Sequence, residues 1–142
     1  MIKIFYGLLA LASCAQISYA APSGISGKIK LAPEMKSKIS QTAVLYIIAR
    51  PVADPGSHAP TMPLAVKRIT QPFTFPMDFT IGQADAMMPN TTFEGKLTIS
   101  ARISQSGSAT PVKAGDIEAA QPTVIEVGQK SSGRVIELNH FH

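Results

Sequence analysis

The 142-residue chain has one cysteine, no tryptophan, few charges and almost no helical periodicity. Each shortage excludes something. Cys14 has no partner, so no intrachain disulfide can staple the fold and the core must hold by packing alone, which a domain of this size can do. Charged residues make up 15 % of the chain, and its basic residues are scattered, so the net charge of +4 is not the footprint of a nucleic-acid-binding surface. Catalytic signatures are missing too. There is no G-x-S-x-G turn, no Gly-rich phosphate loop and no dinucleotide fingerprint. Histidine occurs only as His58, His140 and His142, none on an expected framework strand, and the last two lie at a terminus where disorder is usual. Asp78, Asp85 and Asp116 read as turn and wet-face residues. The expectation is a protein that is not an enzyme, with no cofactor and no intrinsic metal site.

The amino terminus is the one segment with a long apolar run. Lys3 is its only charge, Ile4 to Ala15 is apolar apart from Gly7 and Ser13, and Ser18-Tyr19-Ala20 places small residues where a signal peptidase inspects the chain. The run is too short to span a bilayer. Residues 1–20 are expected to be a cleaved signal peptide, with the periplasm as destination. Leu11-Ala12-Ser13-Cys14 also fits a lipobox, the alternative reading, although little chain precedes Cys14. Cleavage after Ala20 leaves residues 21–142, one domain's worth, and lowers the net charge by one with the loss of Lys3.

What the rest of the chain contains is strand after strand. In residues 73–81, Phe73, Phe75, Met77, Phe79 and Ile81 alternate with Thr74, Pro76, Asp78 and Thr80, giving one aromatic and one polar face. Pro76 has no N–H to offer, so this strand belongs on an edge or at a bulge. Ile25, Gly27, Ile29 and Leu31 alternate with Ser26, Lys28 and Lys30, an outer strand with one wet face. Pro33-Glu34 suits the opening of a single helical turn. Ala43 to Ala49 is apolar without alternation and rich in β-branched residues, as in a central strand covered on both faces. Leu64 to Ile69 follows a proline-punctuated loop. Leu97, Ile99, Ala101 and Ile103 make a second amphipathic strand, and Thr123 to Val127 and Arg134 to Leu138 are the last two. About seven short strands predict an all-β, antiparallel β-sandwich of immunoglobulin-like type, with a small closed barrel as competitor. Phe73, Phe75, Phe79, Leu97, Ile99, Ile103, Val44, Leu45 and Ile47 are expected to form one buried cluster.

Two blocks carry a resemblance. Met62-Pro63-Leu64-Ala65-Val66 leads through the Phe-rich strand to Asp85-Ala86-Met87-Met88-Pro89. Ala101-Arg102-Ile103-Ser104 leads to Ser106-Gly107, Ala109, Pro111 and Gly115-Asp116. With Ile25-Ser26-Gly27 and Ala49-Arg50, this order resembles the periplasmic C-terminal domain of CycH-type cytochrome c biogenesis proteins, a domain regarded as immunoglobulin-like. The resemblance implies an accessory, protein-binding role in cytochrome c maturation, with apocytochrome c or other maturation components as partners. The family's membrane helices and helical repeat have no counterpart in this sequence.

Met62, Pro63, Met87, Met88 and Pro89 flank strands in loops, where proline fixes the backbone and methionine gives adaptable apolar surface. They are the expected partner-binding loops, or else they cap the end of the sandwich. A periplasmic copper-handling protein is the alternative function, with His58, Met62, Met87 and Met88 supplying the imidazole and thioethers that copper favours.

Overall fold

The computed structural model describes residues 24–58, 62–128 and 134–142, so the expected signal peptide and Cys14 lie outside the described residues. Nine strands make up the described fold: β1 Gly24–Leu31, β2 Val44–Pro51, β3 Ala65–Thr70, β4 Met77–Gly82, β5 Lys96–Ser104, β6 Ile117–Glu118, β7 Thr123–Glu126, β8 Val135–Leu138 and β9 His140–Phe141. Two 3₁₀ turns, Pro33–Lys38 and Gln83–Asp85, interrupt them, and no described helix is long and apolar enough to cross a membrane. The strands form two sheets. The smaller runs β4-β1-β8; the larger runs β3-β2-β5-β6-β9, with β7 also pairing with β5. The architecture is an all-β, immunoglobulin-like sandwich.

All seven expected strands are present, and β6 and β9 are additions of two residues each. The pairing is antiparallel except between β1 and β8, which run parallel from Lys28↔Val135 to Leu31↔Leu138. That contact makes β1 the middle strand of its sheet rather than an outer one, although its wet face is as expected: Ser26, Lys28 and Lys30 are exposed while Ile25, Ile29 and Leu31 are buried. Gly27 sits where a side chain would not fit. A Cβ there would lie 2.7 Å from the Arg134 carbonyl oxygen and 2.9 Å from the Phe79 ring.

The core is the apolar space between the sheets. Ile25 and Ile29 of β1, Phe79 and Ile81 of β4, and Ile136 and Leu138 of β8 meet Leu45, Ile47, Leu97, Ile99 and Ile103 of the larger sheet. Each such side chain contributes roughly 1.5–3 kcal/mol on burial, which lets the domain fold by packing alone. β2 is buried on both faces from Val44 to Ala49, because its outer side is also covered. Consequently Val44 does not join the main core. With Tyr46 and Ile48 it forms a second cluster on the far side of the larger sheet.

The aromatic strand is shorter than its alternation implies. β4 starts at Met77, one residue after Pro76, and forms the edge of the smaller sheet where proline does least harm. Phe73 and Phe75 precede it as irregular chain. They are half-buried against the core, with ring centroids 6.0 Å apart. Only Phe79 of the three phenylalanines is fully buried.

Candidate functional site

A loop is folded onto the outer face of the larger sheet. The chain leaving β5 turns over the sheet in residues 105–116. Asp116, with no exposed surface, fixes this loop: its carboxylate accepts hydrogen bonds from the backbone N–H of Gln105 (3.0 Å) and of Lys113 (3.1 Å). Arg102, buried on β5, points into the same space, with Nε 3.8 Å from Asp116 Oδ2 and an Nη2 hydrogen bond to the Ala109 carbonyl. The Tyr46 hydroxyl donates to the Gly107 carbonyl at 2.6 Å. Gln105 completes the anchoring, donating from Nε2 to the carbonyls of Lys38 (2.8 Å) and Gly115 (2.9 Å) and accepting from the Ser40 N–H (2.8 Å). Ala109 is thereby pressed against Val44, Tyr46 and Ile48.

Beside this loop lies an open groove of about 620 Å³. Its floor crosses the sheet through Val66 of β3, Ile48 of β2 and Ser100 and Arg102 of β5, reaching Glu118 of β6. Ala109, Thr110 and Val112 of the folded loop line it, as do Ala119, Ala120 and Pro122 beyond β6. Pro63 and Met87 also line it. They come from loops far apart in sequence that the fold joins: Met87 N–H donates to the Leu64 carbonyl at 2.9 Å, and Ala65 and Ala86 form an isolated bridge. The lining is largely aliphatic, with Arg50, Arg102 and Glu118 as its charged groups. This size and character fit an apolar ligand or peptide segment. A second cavity of about 460 Å³ lies elsewhere, against Phe73, Phe75, Leu31 and Ile39.

Of the five expected partner-binding residues, then, the structure brings Pro63 and Met87 into one groove. Met62, Met88 and Pro89 are exposed outside its lining. His58 is exposed in the loop after β2. Sequence reasoning missed the loop of residues 105–116 as a groove wall, since its apolar residues have no period.

The carboxyl-terminal histidines also differ from expectation. They are not in a loose tail, and His140 falls on a strand. β9 pairs with β6, Ile117↔Phe141 and Glu118↔His140. Asn139 N–H donates to the Glu118 carbonyl (3.1 Å), His142 N–H to that of Asp116 (3.0 Å), and Gly115 N–H to that of His142 (2.8 Å). Lys38 Nζ stands 4.3 Å from the Phe141 ring centroid, a cation–π contact. The pairing places Glu118 opposite His140, with His142 two residues on and so on the same face. His142 Nε2 lies 2.7 Å from Glu118 Oε1, and the two imidazole rings stand edge to face at 5.3 Å.

Residues 25–137 match the model of the cytochrome c-type biogenesis protein H Ig-like domain. The chain belongs to this family. The match spans both sheets and takes in Pro63, Met87 and the loop of residues 105–116, so the groove is built within the family's domain. No curated protein matches the chain. Among solved structures, an alternative pilotin from the type II secretion system of Vibrio cholerae shares the fold, with a TM-score of 0.51 at 12 % identity over 82 % of this chain and 96 % of that one.

Proposed function

We propose that the protein is a non-catalytic accessory module of cytochrome c maturation, acting outside the cytoplasm after export, and that its groove receives an unfolded apolar segment of an apocytochrome c. The observation that carries this reading is the convergence of Pro63, Met87 and the 105–116 loop on one aliphatic groove within a cytochrome c biogenesis family domain. Met87 is 53 % exposed, an unbranched side chain free to adapt to varied apolar residues. Arg50 and Glu118 supply polar contacts that fix a backbone in register.

The test uses fluorescent peptides covering an apocytochrome c sequence, titrated against wild-type protein, Met87→Ser and Met88→Ser. Met87→Ser is expected to weaken binding about fivefold, from loss of about 1 kcal/mol of apolar contact, with the thermal midpoint nearly unchanged. Met88→Ser, outside the lining, should bind as wild type. No micromolar binding by wild type, or equal losses in both variants, would overturn the reading.

A further inference from the structure

We propose that Glu118, His140 and His142 form a binding site for a divalent transition-metal ion, with zinc as its simplest occupant. Each residue offers one ligand atom, and these atoms all lie within 4.8 Å of one another. A tetrahedral zinc ion with ligands at about 2.0–2.1 Å needs donors about 3.3 Å apart, so no donor separation has to shrink by more than about 1.5 Å to close around an ion. His142 Nε2 and Glu118 Oε1, at 2.7 Å, already stand closer than that.

Three features separate this cluster from a chance meeting of polar side chains. The first is its donor set. Two imidazole nitrogens and one carboxylate suit zinc, copper(II) or nickel, and do not suit calcium or magnesium, which take oxygen ligands. The second is preorganisation. Glu118 is tied to the 139–142 segment by its own carbonyl, which accepts from the Asn139 N–H, and His142 is held by backbone bonds on both its N–H and its carbonyl. Spacing the histidines two apart on an extended segment turns both to the side Glu118 occupies. The third is access. The side chains of Glu118 and His142 keep 31 % and 36 % of their surface, so an ion can enter from solvent. Three protein ligands leave at least one position of a four-coordinate ion to water or an incoming side chain. Because Glu118 also lines the groove, that ion stands at the groove's rim.

The test is calorimetric titration of tag-free full-length protein with zinc chloride after dialysis against a chelator. One zinc per chain is expected. His140→Ala and His142→Ala should each weaken binding by at least about 10–100-fold, the loss typical of merely supporting residues at metal sites. Glu118→Gln keeps the shape and β6 pairing and should also weaken it, while His58→Ala should bind as wild type. Cobalt(II) gives a second readout needing no variant: a visible absorption band that saturates at one equivalent and is bleached by zinc. Absence of saturable zinc or cobalt binding by the wild type, or binding undiminished in Glu118→Gln and in the double histidine variant, overturns the proposal.

Discussion

Asp116 is the residue whose removal should cost most for its size. Its carboxylate accepts two backbone N–H groups, at 3.0 and 3.1 Å, and lies 3.8 Å from the buried Arg102 guanidinium. Hydrogen bonds to a charged group contribute about 1.5–3 kcal/mol each. Lys113 is exposed, so water can replace the carboxylate at its N–H, whereas the half-buried Gln105 N–H and the buried Arg102 cannot recover so easily. Asp116→Ala should therefore lower unfolding free energy by about 3–5 kcal/mol, the range for breaking one side of a buried charged pair. Asp116→Asn keeps one acceptor oxygen and should cost about half as much. Arg102→Met is the informative contrast. Arg102 Nε is buried without a hydrogen bond, but Arg102→Met leaves the Asp116 carboxylate buried without its countercharge; because that carboxylate keeps its two backbone N–H donors, the cost should be about 2–3 kcal/mol, below that of Asp116→Ala. Urea unfolding monitored by circular dichroism measures all three. Hydrogen exchange should localise the Asp116→Ala effect to residues 105–116. A loss below about 1 kcal/mol in Asp116→Ala, or a larger loss in Arg102→Met, would refute the assignment of Asp116 as the fastener of this loop.

Two further predictions concern the core and are read from the same unfolding curves. Gly27→Ala should destabilise by about 1–3 kcal/mol, because its methyl group meets the Arg134 carbonyl and the Phe79 ring; a neutral result would show that β8 yields freely. Phe79→Ala should cost about 3–5 kcal/mol, against less than about 2 for Phe73→Ala or Phe75→Ala, and equal losses would contradict the difference in burial.

How far the sequence spoke depended on the length of each pattern. Leu97 to Ile103 alternates over a full strand, and Val44 to Ala49 is apolar on both faces; both strands lie where those patterns put them. β6 and β9 are two residues long, below any period, and exist because Ile103 and Ile117 bring partner backbones together. Phe73 and Phe75 kept the alternation without the strand, since irregular chain can also turn aromatic rings inward. The groove was half legible: Pro63 and Met87 stand out as loop residues, but Ala109 and Val112 matter only because Asp116 folds their loop back. For the His140-x-His142 spacing the signal was present, but it needed an extended strand opposite Glu118 to mean anything.

The parallel seam between β1 and β8 has a consequence for the order of folding. β1 is synthesised long before the strand that flanks it, and loop-closure entropy must be met before that distant pairing stabilises anything. Until β8 arrives, the Lys28–Leu31 stretch offers an unpaired edge, and Ile136 and Leu138 are missing from the core. Such an edge is a template for pairing with another chain. Pairing of β8 is thus a latch that closes the edge of β1, and a chain cut before β8 is left open at that edge rather than merely shortened.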